Sequence, residues 1–350
     1  MHRTWTAFLT ISCLLLLSLA PPLRAADLNH ITGPFAYRNL AIYLVHGKDS
    51  TDAVPLTIDE ALLKGAAKVY ETGEVNALEI ENLGDQPVFV QSGDIIKGGR
   101  QDRALSASVW VPPRSGRVRV GAFCVEAGRW SPRGGETGRA FSRVDSILPS
   151  REAKIAMNSV VSLGAQGRTA PAYTSRAQAD VWRHVAKIQE RLSNSLGVPV
   201  ASTRSPTSLQ LALESDELKK AEALYVQALQ PAGERDPDVL GSVFAINGKL
   251  NSADLYPANG LFRKMWPKLI NAYAAEAIGE RGAAAFATPS IQTVLSFLGN
   301  AEDNVKAEKE ITPDARLEIH ESADVLYFET KSTSPSAAFP AWIHRGYLAK

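Results

Sequence analysis

The stretch VFVQSGDIIKGGRQDRALSASVWVPPRSGRVRVGAFCVEAGRW, Val88 to Trp130, decides the fold class. Its first alternation places Leu105, Ala107, Val109 and Val111 on one face, and the same parity carried backwards adds Gln101 and Arg103. In the second run Val118, Val120, Ala122 and Cys124 share a face that Glu126 continues, while Arg117 and Arg119 point the other way. Two apolar faces thus each end in polar groups. Pro112 to Arg117 (PPRSGR) carries the proline and glycine of a turn. Pairing Val111 with Val118 then makes a hairpin and sets Arg103 opposite Glu126, where each charge is expected to satisfy the other. A one-residue slip would expose the apolar set.

Outward from this stretch, Phe35 to Val45 reads as a strand and Asp59 to Lys64 as a short helix. Val75 to Ile80 and Pro87 to Gln91 flank the turn Asn82-Leu83-Gly84-Asp85 and form a meander into the hairpin. After Trp130, residues 131–146 have no period and are rich in glycine, serine and arginine, so a long loop is expected over the polar end of the hairpin. Helical spacing follows at Arg151 to Leu163, at Arg176 to Leu196 (Val181, Val185, Ile188, Leu192, Leu196) and at Ser208 to Leu229. Val239 to Ile246 and Lys249 to Leu255 flank Asn247-Gly248, the strongest short hairpin signal in the chain. A helix with Phe262, Met265, Trp266, Leu269, Tyr273 and Ala277 on one stripe comes next, with Pro267 expected to kink or restart it. A helix near Pro289 to Leu298, strands at Arg316 to His320 and Val325 to Thr330, and a returning segment Ala341 to Tyr347 complete the chain. The expected class is α+β: an antiparallel β-rich part (35–130), a helical middle (151–230) and an α/β part (239–347) within one domain, 26–350.

The first 25 residues combine a basic start, the apolar run Ala7 to Ala20 and small residues at Ala25 and Ala26, the pattern of a cleaved secretory signal peptide. The expected location is periplasmic or secreted, with no membrane span after cleavage. Cleavage removes Arg3 and Arg24 and leaves 36 basic against 37 acidic residues, a balance that does not suit a nucleic-acid or polyacid binder. Only Cys124 of the two cysteines remains, so the core and not disulfides must hold the fold.

GGRQDR (98–103), CVEAGRW (124–130), FAINGKLNSADLY (244–256) and LFRKMWPKLINAYAAEA (261–277) resemble the ARG and Rhodanese-Phosphatase-superfamily-associated protein domain, a family of unknown function. The resemblance runs from about Tyr43 to Tyr347 and implies a link to ADP-ribose or nucleotide metabolism. Gln101, Arg103, Glu126, Arg129 and Trp130 match its motifs, whereas Asp102 stands where asparagine is more usual.

Among single residues, Cys124 follows the buried parity and reads as a small hydrophobe more than as a nucleophile. The six histidines show neither the spacing of a Ser-His-Asp triad nor that of a zinc site. Gly93, Gly98 and Gly99 match no phosphate-binding or dinucleotide fingerprint and suit a bend, so no cofactor is named. Nine arginines and no lysine lie between residues 100 and 143, against Asp102, Glu126 and Glu136. Such a set suits bidentate recognition of phosphate or carboxylate, although Arg117 and Arg119 face outward as a solvated surface would. The expected function is binding of a small anionic molecule at Gln101, Arg103, Glu126, Arg129 and Trp130. The alternatives are a hydrolase with Glu126 or Asp254 as general base and a structural envelope protein.

Overall fold

The structure, a computed structural model, describes residues 28–129, 131, 141–142, 146–165, 171–282, 286–299, 305–335 and 339–350. The proposed signal segment and Trp130 lie outside the described residues. In chain order the first half supplies β1 (Leu28–Tyr37), β2 (Leu40–Gly47), β3 (Leu56–Thr57), α1 (Ile58–Leu63), β4 (Ala67–Glu71), β5 (Ala77–Asn82) and β6 (Val88–Val90). It continues with β7 (Ile95–Gly98), β8 (Arg103–Leu105), β9 (Val109–Val111), β10 (Gly116–Cys124) and β11 (Phe141–Ser142). The helices α2 (Arg151–Ala165), α3 (Pro171–Leu196), α4 (Leu209–Leu213) and α5 (Asp216–Arg235) form the middle. The second half holds β12 (Val239–Ile246), β13 (Lys249–Leu255), α6 (Asn259–Gly279), α7 (Ile291–Gly299), β14 (Val305–Thr312), β15 (Ala315–Glu321), β16 (Val325–Ser332) and β17 (Trp342–Ala349). The class is α+β.

An eight-stranded antiparallel sheet in the order β1-β2-β12-β13-β17-β16-β15-β14 joins the two ends of the chain. Its β12–β13 turn forms at Asn247-Gly248, where both residues take positive φ (52° and 74°) and Ile246 pairs with Lys249. One face of this sheet packs on α6, whose stripe of Phe262, Met265, Trp266, Leu269 and Tyr273 is fully buried. The helix runs through Pro267 as one element. Gly233 of α5 lies so close to the Trp266 ring that a Cβ would come within 2.3 Å of it, and the indole donates to Gln230 O at 2.8 Å. The α3 stripe of Val181, Val185, Ile188 and Leu192 is buried in the same core, as its spacing predicts. Among the described residues no helix is long and apolar enough to cross a membrane.

The expected hairpin is corrected by the structure. The alternation from Leu105 to Val111 breaks at Ser106 to Ser108, so β8 and β9 belong to different sheets. Val111 pairs with Val88, and Val118 pairs with Ile80 instead of Val111. Only the end of β10 meets β8, as Ala122 with Leu105 and Cys124 with Arg103. That register differs by two residues from the expected one, and a two-residue shift keeps every side chain on its face. Parity alone cannot separate the two. The break is held by polar bonds: Ser106 N donates to Gly121 O at 2.9 Å and Ser92 N donates to Ser108 Oγ at 2.9 Å. The resulting sheets are β11-β7-β8-β10-β5-β4 and β3-β6-β9.

Candidate functional site

Three polar assemblies emerge from this fold. The first gathers Gln101, Asp102, Arg103, Glu126 and Arg129 where β8 and β10 end. Arg103 and Glu126 share no hydrogen bond or ion pair, which corrects the expected pairing. The buried Arg103 guanidinium donates through Nη1 to Gln101 O (3.2 Å) and Oε1 (3.1 Å), and Nη2 lies 3.7 Å from Glu71 Oε2. Glu126 takes Asp102 N at 3.1 Å, the Ser205 hydroxyl and, as an ion pair, Arg129 Nη2 at 2.7 Å. Burial pushes the Glu126 carboxyl up, but the donors Arg129, Ser205 and Asp102 N together hold it below the ordinary glutamate value. Asp102 accepts from Gly98 N at 3.0 Å and from Ser208 Oγ at 2.7 Å. Arg129 Nη1 donates to the carbonyls of Gly99 (3.2 Å) and Ser131 (2.6 Å). Both arginines therefore face buried carboxylates or carbonyls already.

Gly99 sits at φ 57°, and a Cβ there would meet Glu71 Oε1 at 2.5 Å and the Phe141 ring at 2.6 Å, so the glycines serve a bend. Phe141 and Ser142 pair with Gly98 and Lys97, which puts this described part of the 131–146 segment at the polar end and away from the Pro112 to Gly116 turn. Most of that segment lies outside the described residues. Cys124 is buried and its thiol donates to Gln101 Oε1 at 2.9 Å. Burial pushes the thiol up to about 11, with Arg103 pulling the other way. It stays protonated at neutral pH, as a core residue does.

The second assembly centres on Asp254 of β13. Its Oδ1 accepts from His344 Nε2 (3.1 Å) and Gln91 Nε2 (3.2 Å), and its Oδ2 accepts from Tyr273 OH (3.1 Å). With the proton on Nε2, His344 Nδ1 accepts from Ser108 Oγ at 3.0 Å. Ser108, His344 and Asp254 thus stand in serine, histidine and aspartate order, although nothing in their sequence spacing announces it. Their exposures are 1%, 0% and 5%, and the Ser108 oxygen is already bonded to a backbone N–H. The arrangement is a clasp between β17, β13 and the Ser106 to Ser108 break. A catalytic triad would need its hydroxyl open to substrate.

The third assembly is open to solvent. A cleft of about 440 Å³ lies between the start of α2, the middle of α3, the β12–β13 turn and the end of α6. Arg151, Arg191, Lys249 and Arg281 line it together with Glu152 and Glu280, and Lys249 and Arg281 are exposed. Arg191 Nη1 lies 3.3 Å from Glu152 Oε1 and 3.5 Å from Glu280 Oε1. Behind them the buried Glu276 accepts from Arg151 N at 2.9 Å and from Asn251 Nδ2 at 3.2 Å. Burial raises the Glu276 carboxyl, and burial with the nearby Glu152 raises that of Glu280. Glu152 is lowered instead: burial opposes ionisation, but its own backbone N–H and Arg191, Arg151 and Lys187 outweigh it. The sequence reading passed over this site. The one local signal was the four-residue spacing of Glu276 and Glu280, which stacks two carboxylates on one helix face.

No curated protein and no solved structure matches the chain. A family model does, over residues 29–343, from within β1 into β17, covering the first and third polar assemblies and ending one residue short of His344 in the second. The chain belongs to the ARG and Rhodanese-Phosphatase-superfamily-associated Protein domain family.

Proposed function

We propose that this protein is an exported binding module for a small anionic ligand, and that the ligand sits in the cleft between α2, α3, α6 and the β12–β13 turn. The observation that carries this reading is the convergence of Arg151, Arg191, Lys249 and Arg281 on one solvent-open cavity of about 440 Å³. That size falls within the range of small-molecule sites. The Nε of Arg151 adds a buried N–H with no hydrogen-bond partner. Lys249 and Arg281 stand exposed at this cleft, whereas at the polar end of β8 and β10 Arg103 is buried and the Arg129 side chain is 10% exposed, so an incoming anion reaches the cleft charges more readily. A phosphate-bearing ligand such as a nucleotide, ADP-ribose or a sugar phosphate suits planar guanidinium donors. The hydrolase alternative is weaker, because Glu126 and Asp254 are buried and their oxygens are bonded to protein donors.

Thermal-shift and calorimetric titrations with ADP-ribose, nucleotides and sugar phosphates test the proposal. One of these classes is expected to raise the melting temperature, and Lys249→Ala with Arg281→Ala is expected to weaken that ligand by about tenfold or more. Both side chains are exposed, so the unliganded melt should not move. A response equally strong in the double variant would exclude the cleft. Export rests on the pattern in residues 1–25 and is checked by intact mass of protein recovered from the expressing cell's envelope or medium. Retention of Met1 to Ala25 there would refute it.

A further inference from the structure

The same cleft contains a cluster that anion binding does not use. Glu152 at the start of α2 and Glu276 and Glu280, one turn apart at the end of α6, each offer a carboxylate oxygen, and these oxygens lie within 4.8 Å of one another. Three carboxylates so close repel one another unless a positive charge joins them. Arg191 supplies part of that charge from the solvent side, at distances longer than a tight ion pair, and its side chain is 31% exposed. No cationic side chain makes an ion pair with Glu276 among the described residues.

Acid clusters are common, and a second observation distinguishes this one. Asn251 is 2% exposed, lines the cleft and has an Oδ1 with no hydrogen-bond partner. Its Nδ2 is 3.2 Å from Glu276 Oε1, and a carboxamide keeps its oxygen within about 2.3 Å of its nitrogen. A buried, unused carbonyl-type acceptor therefore stands beside Glu276, at the wall of the same cleft. Leaving such an acceptor unpaired is costly. A cation would satisfy all four groups at once.

We infer that Glu152, Glu276, Glu280 and the Asn251 amide oxygen form a binding site for a hard divalent cation of the calcium class. All four donors are oxygens, and no cysteine or histidine belongs to the cluster, which is the ligand set of calcium and not of zinc. Calcium accepts irregular all-oxygen ligand sets, whereas magnesium demands near-ideal octahedral geometry and gives up its waters reluctantly. Entry of the ion displaces Arg191 towards solvent and frees its guanidinium for an anion in the same cavity.

The inference shares its cleft with the proposed anion site, and its test uses the metal alone. Chelator-treated full chain is titrated with calcium chloride and with magnesium chloride in a calorimeter, without any anionic ligand. One calcium per chain is expected, with a melting temperature raised by several degrees at about 1 mM and magnesium weaker by about tenfold. Glu152→Gln and Glu280→Gln should each weaken calcium by about tenfold or more. Unliganded Glu280→Gln should melt no lower than the parent, because it removes a carboxylate crowded by Glu152. No saturable binding up to about 10 mM calcium, or binding unchanged in the Glu152→Gln/Glu280→Gln double variant, would overturn the site. Lys249→Ala with Arg281→Ala should keep calcium binding while losing the anion, so failure of either reading is seen separately.

Discussion

Replacing Asp254 by alanine is expected to cost about 3–5 kcal/mol of folding stability, enough to leave a marginally stable domain largely unfolded. The carboxylate is the common acceptor for His344 Nε2, Gln91 Nε2 and Tyr273 OH, and those three donors are buried with it. Removing it leaves the buried His344 and Gln91 donors without this acceptor, while Tyr273 OH keeps Ser242 Oγ at 3.2 Å, and each unpaired donor carries a penalty of about 1–3 kcal/mol. Asp254→Asn should be milder, because an amide oxygen still accepts while the new N–H meets another donor. Urea denaturation followed by circular dichroism measures both. A loss below about 1 kcal/mol for Asp254→Ala would mean that the clasp contributes little.

The pH dependence follows from the same contacts. Burial alone would raise the Asp254 carboxyl, but hydrogen bonds from His344 and Tyr273 and the nearby charge of Lys154 hold it below the ordinary aspartate value. A carboxyl lowered on folding contributes stability above its unfolded pKa and loses it as pH falls through the folded one. The acid limb of the stability profile should therefore flatten in Asp254→Asn.

The second large effect is expected at Lys268 of α6. Its ammonium is buried between Asp94 Oδ1 at 2.7 Å and Asp59 Oδ2 at 2.5 Å. Burial opposes the charge, yet the two carboxylates outweigh it and hold the lysine protonated well above its ordinary range. Lys268→Met removes the charge that pairs with both acids, and about 3–5 kcal/mol should be lost through the uncompensated carboxylates. Adding Asp94→Asn and Asp59→Asn should restore much of the loss, since a buried ion group replaced as a unit leaves no orphan charge. Equal stability of single and triple variants across pH would contradict this account.

What was legible in the sequence is what near neighbours decide. Asn247-Gly248 forms its turn because only such residues accept two positive φ values, and the α3 stripe buries because 3.6 residues make a turn. Alternation correctly put Cys124 and Glu126 inside. The α+β class follows from those same local periods.

Register and partnership were decided elsewhere. The two-residue shift between β8 and β10 preserves side-chain parity, so the choice fell to Ser92 and Gly121, whose backbones hold the break at Ser106 to Ser108. Arg103 found Glu71 on β4 although β10 and β5 lie between their strands in the sheet, and Ser108 found His344 across 236 residues. The cleft joins Glu152 to Glu276 and Glu280 only because α2 and the end of α6 pack on the same turn of the large sheet. Periodicity tells a side chain which face it occupies, whereas its partner is set by how whole layers pack, and that depends on every core residue between them.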